Sequence, residues 1–147
     1  MITIVIGGFF ASIILPAWQG RYMKTKVLAA RRLEIAESVT KNFQKYITAW
    51  KRLLAISDLE EISGLTKEQH QTKMGFVAAR NASRDALLES LAVSNLYFPD
   101  ACADVVESFC KWDEDRSTER LDKLPGISAW REWEAKVLRS LNQELMQ

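Results

Sequence analysis

Two arginines and an asparagine interrupt an otherwise apolar helical stripe in the stretch "FVAARNASRDALLESL", residues 76–91. Along His70, Met74, Val77, Asn81, Arg84, Leu88 and Leu91, spaced alternately four and three apart, polar groups stand where a core is expected, and Arg80 lies one turn before Arg84 on an adjoining edge. Like charges at i and i+4 repel by a few tenths of a kcal/mol, and a partly buried guanidinium is tolerated only beside an anion. Two chemistries supply one. An internal carboxylate, Glu34 or Glu37 from the preceding helix or Asp104 or Glu107 from the following one, would make a structural ion-pair network. Alternatively, Arg80, Asn81 and Arg84 would hold an anionic ligand such as a nucleotide or phosphate signal. These three residues are the candidate anion or ion-pair site.

The other reactive side chains are sparse. Cys102 and Cys110 sit eight apart on one expected helix, too far for a bridge between neighbouring turns, and read as small core residues. His70 is the sole histidine and has no Cys, Asp or Glu at ligand spacing, so no metal site is expected. There is no Gly-rich phosphate loop and no serine-hydrolase elbow, and the acidic cluster Asp113-Glu114-Asp115 reads as a solvated turn. Arg80 and Asn81 are similar to the first two positions of the HEPN-family nuclease motif, an Arg, a polar residue, a short spacer and a His. No histidine follows, which removes the expectation of that RNase chemistry. No catalytic residue and no cofactor are expected, and the chain reads as non-enzymatic.

The elements that must position these residues are helical. Val39, Phe43, Tyr46, Trp50 and Leu53 alternate at spacings of four and three, predicting a helix that packs on partners and runs to about Ile56. After a turn around Ser63-Gly64, the capping-box match Thr66-Lys67-Glu68-Gln69 opens a second helix reaching about Tyr97. Pro99-Asp100 ends it and starts a third, carrying Val105, Val106, Phe109 and Trp112. Beyond the charged stretch Asp113 to Lys123 and the turn Pro125-Gly126, a last helix from Ser128 presents Trp130, Trp133, Val137, Leu141 and Leu145. The predicted fold is all-α, an antiparallel bundle of about four helices.

At the N-terminus, Ile2 to Trp18 contains no charged residue, and at about 1.5 Å per residue it reaches roughly 25 Å, near the short end for a hydrocarbon core of about 30 Å. A cleaved export signal carries its positive charges before the apolar run; here Arg21, Lys24, Lys26, Arg31 and Arg32 come after it. That polarity predicts a single-pass transmembrane anchor at residues 1–22 with its N-terminus outside, and a cytosolic bundle at residues 23–147. The competing reading is an all-round apolar core helix. Trp18 and Tyr22 suit the headgroup boundary, and Pro16 would set the angle between anchor and cytosolic helix. Gly7 with Ala11 and Gly8 with Ser12 form small-x-x-x-small pairs of the kind that let helices self-associate in lipid.

The net charge of +1 conceals an uneven distribution. From Gln19 to Leu54 nine basic residues face two acidic ones, a net of +7, whereas Ser57 to Gln147 holds eleven basic against seventeen acidic, a net of −6. The basic part adjoins the expected inner membrane boundary and would also attract anionic headgroups. Lys41 to Arg52 carry no groove-reading motif, which argues against nucleic acid. The plan, one short span and a compact helical bundle, is similar in architecture alone to small membrane-anchored effectors of bacterial anti-phage systems. The amphipathic helices and missing catalytic motifs point to a non-enzymatic inner-membrane interaction protein, bacterial by its compactness and lack of an organelle-targeting signature, whose expected partners are the bilayer, a second copy and a cytosolic protein. An oligomeric pore or membrane-perturbing effector and a sensor of an anionic nucleotide through Arg80 and Arg84 are the alternatives.

Overall fold

A computed structural model describes residues 23–147 of the 147-residue chain. The helix entering this region, α1, is assigned from Ile2 to Ser63, followed by α2 (Lys67–Tyr97), α3 (Asp100–Ser117), a single 3-10 turn (Leu121–Lys123) and α4 (Ser128–Leu145). The predicted anchor at 1–22, with Pro16 and the small-residue pairs of Gly7, Gly8, Ala11 and Ser12, lies outside the described residues. Among those that are described, there is no strand, and no helix is long and apolar enough to cross a membrane.

The breaks between helices follow local chemistry. Gly64 adopts φ 71°, a left-handed conformation that costs a residue without Cβ little, and its N–H donates to the Glu60 carbonyl to close α1. Thr66 then starts α2 with the reciprocal pair predicted for it. The Gln69 N–H donates to Thr66 Oγ1, and the Thr66 N–H donates to Gln69 Oε1. Phe98 is extended, as the residue before a proline tends to be, so α2 stops there and α3 begins after Pro99.

Short connections make the helices run up and down. Arg32 bonds the carbonyl of Tyr97, Asn42 that of Ala86, and Lys73 pairs with Glu60, so α1 and α2 are antiparallel along their length. Trp112 and Trp130 meet at one level of α3 and α4, and Cys102 and Ser140 at another, giving a second antiparallel pair. Packing between α1 and α4 and between α2 and α3 closes the four-helix bundle.

The core forms along the stripe read from sequence. Val39, Phe43, Tyr46, Trp50 and Leu53 of α1 are fully buried and meet Leu87 and Leu91 of α2, Val106 and Phe109 of α3, and Trp130, Val137 and Leu141 of α4. Each large apolar side chain removed from water contributes about 1.5–3 kcal/mol. Cys102 is buried as a small core residue, and Cys110 is half-buried; both thiols are free.

Three sequence expectations are corrected. First, α1 continues to Ser63, about two turns beyond Ile56, because nothing before Gly64 breaks the helix. Second, only part of the predicted α2 stripe faces inward: Leu91 is buried and Val77 and Leu88 pack against the core, whereas His70 and Asn81 are exposed, Met74 is 66% exposed, and Leu87, Ser90 and Ser94 beside the stripe are buried instead. The buried serines turn their hydroxyls back to helix carbonyls, Ser90 to Leu87 and Ser94 to Leu91, so small polar residues occupy the close interface. Third, Asp113 is neither in a turn nor solvated. It lies inside α3 and is 0% exposed, while Glu114 and Asp115 beside it face solvent.

These positions differ sharply in expected cost. Phe43→Ala should lower unfolding free energy by about 3–5 kcal/mol, as large-to-small core changes do, and Met74→Ala by no more than about 0.5 kcal/mol. Urea titration checks both, and a large loss at Met74 would contradict its outward placement.

Candidate functional site

The densest polar chemistry among the described residues surrounds Asp113. Its stripe explains why it points inward: Cys102, Val106, Phe109 and Asp113 follow at intervals of four, three and four, so the carboxylate occupies the next core position after Phe109. There it receives three donors. Tyr46 Oη donates to Oδ1 at 2.6 Å, Trp130 Nε1 donates to the same oxygen at 3.2 Å, and Arg84 Nε donates to Oδ2 at 2.7 Å. Tyr46 belongs to α1, Arg84 to α2, Asp113 to α3 and Trp130 to α4, so every helix contributes one member.

The predicted anion for Arg84 is therefore internal, but it is Asp113 rather than Glu34, Glu37, Asp104 or Glu107. Arg84 remains 25% exposed, with one end on the buried carboxylate. The three residues singled out from sequence do not converge on one ligand. Arg80 lies over the Trp50 ring at 4.8 Å from its centroid, and its Nε and Nη2 donate to Asn81 Oδ1 at 3.1 and 2.8 Å. The half-buried Arg80 thus uses a ring face and a neighbouring amide, while Arg84 uses a carboxylate.

Aromatic rings enclose the cluster. Trp50 and Trp130 stand 4.7 Å apart between centroids, Trp112 meets Trp130 edge-on at 5.2 Å, and Phe43 meets Phe109 at 5.0 Å. In this surrounding, burial foremost, with the neighbouring Asp113 charge second, pushes the Tyr46 phenol far above its usual range. Burial is the largest single influence on Arg84 and opposes its charge, but the bond it donates to Asp113, the Asp113 charge and the smaller effects of Tyr46 and Glu114 together outweigh burial and raise its pKa; burial lowers that of Arg80. Burial also raises the Cys110 thiol, keeping it protonated and poorly nucleophilic.

Chemically, this is an anion held fast. Both Asp113 oxygens are engaged by protein donors, and Tyr46 keeps its proton at neutral pH, so the arrangement ties helices together. Among the described residues no group of three or more His, Cys, Asp or Glu could hold a metal ion. Comparison with protein-family models, curated proteins and solved structures found no match.

Removing the shared acceptor should cost more than removing a donor. Asp113→Ala leaves Arg84 without its anion and should destabilise by about 3–5 kcal/mol, against about 1–3 kcal/mol for Tyr46→Phe, measured by urea unfolding. Equal losses would show that the carboxylate is not the hub.

The alkaline limb of stability follows from Tyr46. Its pKa is raised in the folded state above the ordinary 10.0, so its contribution is complete below pH 10 and is lost as pH climbs through the folded value. Wild type should lose stability above pH 10 more steeply than Tyr46→Phe; parallel curves would place the phenol in water.

Proposed function

We propose that this chain is a single-pass, membrane-anchored interaction protein without catalytic activity, presenting a cytosolic helical bundle for protein binding or self-assembly. The observation that carries the reading is the polarity of the N-terminal sequence, an uncharged run from Ile2 to Trp18 followed by Arg21, Lys24, Lys26, Arg31 and Arg32. Span length and flanking charge of that kind favour a helix in the bilayer with its basic end at the cytoplasmic face. On this reading residues 1–22 anchor the chain in the cell membrane, and the bundle from residue 23 lies in the cytoplasm.

The bundle's internal chemistry supports a binding rather than a catalytic role. Its buried carboxylate is engaged on both oxygens by Tyr46, Trp130 and Arg84, which commits the one fully buried acid among the described residues to holding the helices together. The outward surface keeps its charge asymmetry. Lys41, Lys45 and Arg52 line one groove between α1 and α2 beside Phe76, and no carboxylate lines it. Such a face suits recognition of an acidic protein segment.

Alkaline carbonate washing of membranes from cells expressing the full chain tests the anchor. The protein should stay with the pellet, and release into the supernatant would overturn the reading. For the retained protein, mass in nanodiscs determines self-assembly. A monomer or dimer fits the interaction reading, whereas a defined ring accompanied by dye leakage from liposomes would replace it with a pore.

A further inference from the structure

Near its basic end, α1 projects past the bundle. α2 turns into α3 at the Tyr97–Pro99 corner, which is tied to α1 at the level of Arg31 and Arg32. Arg32 Nε donates to the Tyr97 carbonyl at 2.7 Å, its guanidinium lies over the Phe98 ring, and that of Arg31 lies over the Tyr97 ring. The described residues of α1 before this level, 23–30, are all exposed, with only the Tyr97 end of α2 across the cavity from them. They nevertheless carry large apolar side chains: Val27 is 63% exposed, and Met23 and Leu28 are exposed with it. At the adjoining corner Leu96 is 79% exposed. Between stalk and corner lies an open cavity of about 520 Å³ lined by Met23, Lys24, Val27, Leu28, Arg31 and Tyr97.

An upright helix does not account for this patch. If the hydrocarbon ends near Trp18, Val27 stands about 13 Å further along the axis at 1.5 Å per residue. The headgroup layer is only about 5–7 Å deep on each side. Upright, Val27 and Leu28 would therefore stand in water. A second copy packed in parallel would cover them, but it would bring Lys24, Lys26, Arg31 and Arg32 against their own counterparts, with Glu34 the only acid on this stretch.

Resting on the anchored reading above, we propose that this angle receives the surface of an anionic lipid bilayer, with α1 leaning toward its α2–α3 corner. Val27, Leu28 and Leu96 then enter the interface, and Lys24 and Arg31, which line the same cavity, meet headgroup phosphates, Arg31 beside its ion pair with Glu34 at 3.1 Å. An apolar face flanked by basic residues is the composition that binds interfaces of this charge.

The test uses full-length protein carrying Cys110→Ser, with a nitroxide attached at Leu96→Cys or, at the far end of the bundle, at Ile62→Cys, where the native residue is 84% exposed. Power-saturation EPR in nanodiscs compares accessibility to oxygen, which enters lipid, with accessibility to a nickel chelate, which does not. The Leu96 label should become lipid-like in discs containing phosphatidylserine and remain water-like in phosphatidylcholine discs, while the Ile62 label stays in water in both. Neutralising Lys24→Gln should weaken docking about fivefold. A water-like Leu96 label in anionic discs, on protein that survives the carbonate wash, would overturn the inference and leave the anchor standing. Loss of the protein in the wash would overturn both. Equal burial in neutral and anionic discs would refute the charge-matched contact, and spin–spin broadening at Leu96 would assign the face to a second copy.

Discussion

A single carboxylate in the middle of the bundle has a donor on each of the other three helices. Burying Asp113 costs several kcal/mol before any partner is counted, and that cost is recovered only if Tyr46, Arg84 and Trp130 are all in place. Apolar residues along a helix can slide by a turn and still find apolar neighbours. The Asp113 cluster cannot, because a shift of one turn in any helix withdraws a donor and leaves a buried anion partly unpaired. Hydrophobic burial supplies most of the driving force, and this polar contact selects one alignment of the four helices.

The rest of the architecture is consistent with that alignment. The Gly64 turn and the Phe98-Pro99 corner bring α2 back along α1 and α3 back along α2, so that residues far apart in sequence, Tyr46 and Asp113, meet at one height. The aromatic shell around the cluster keeps water from competing for the carboxylate, and it places Arg80 on the face of Trp50, where a half-buried cation is tolerated without an acid. The two arginines one turn apart are held off each other by dissimilar partners.

Much of this was legible in the residues, and the exceptions have a common cause. The α1 stripe from Val39 to Leu53, the capping box at Thr66 and the break at Pro99 are local signals, and the fold follows them. The interrupted stripe leads to the expectation of an anion facing both arginines; Arg84 has one in Asp113, whereas Arg80 rests on the Trp50 ring and the Asn81 amide instead. The expectation for the Arg84 partner falls on Glu34, Glu37, Asp104 and Glu107 because Asp113 stands in a run of charges, where Glu114 and Asp115 suggest solvent, although its spacing from Cys102, Val106 and Phe109 marks an inward position. On α2 the spacing of four and three leads through Met74, which faces solvent, whereas the interface takes in Ser90 and Ser94, whose hydroxyls bond their own helix. Hydrophobicity identifies candidate faces, but steric fit across the interface chooses among them.

The tryptophan arrangement also has an optical consequence. Trp50, Trp112, Trp130 and Trp133 form one chain of rings, with centroid separations of 4.7, 5.2 and 6.0 Å between neighbours, while the fifth tryptophan, Trp18, belongs to the uncharged N-terminal run. Rings so close couple their electronic transitions, so the near-ultraviolet dichroism of the bundle is a property of the packed chain of indoles rather than a sum of four independent ones. Its disappearance marks the separation of α1, α3 and α4 as one event. The molecule thereby carries a native chromophore for the integrity of its own centre, readable without any attached dye.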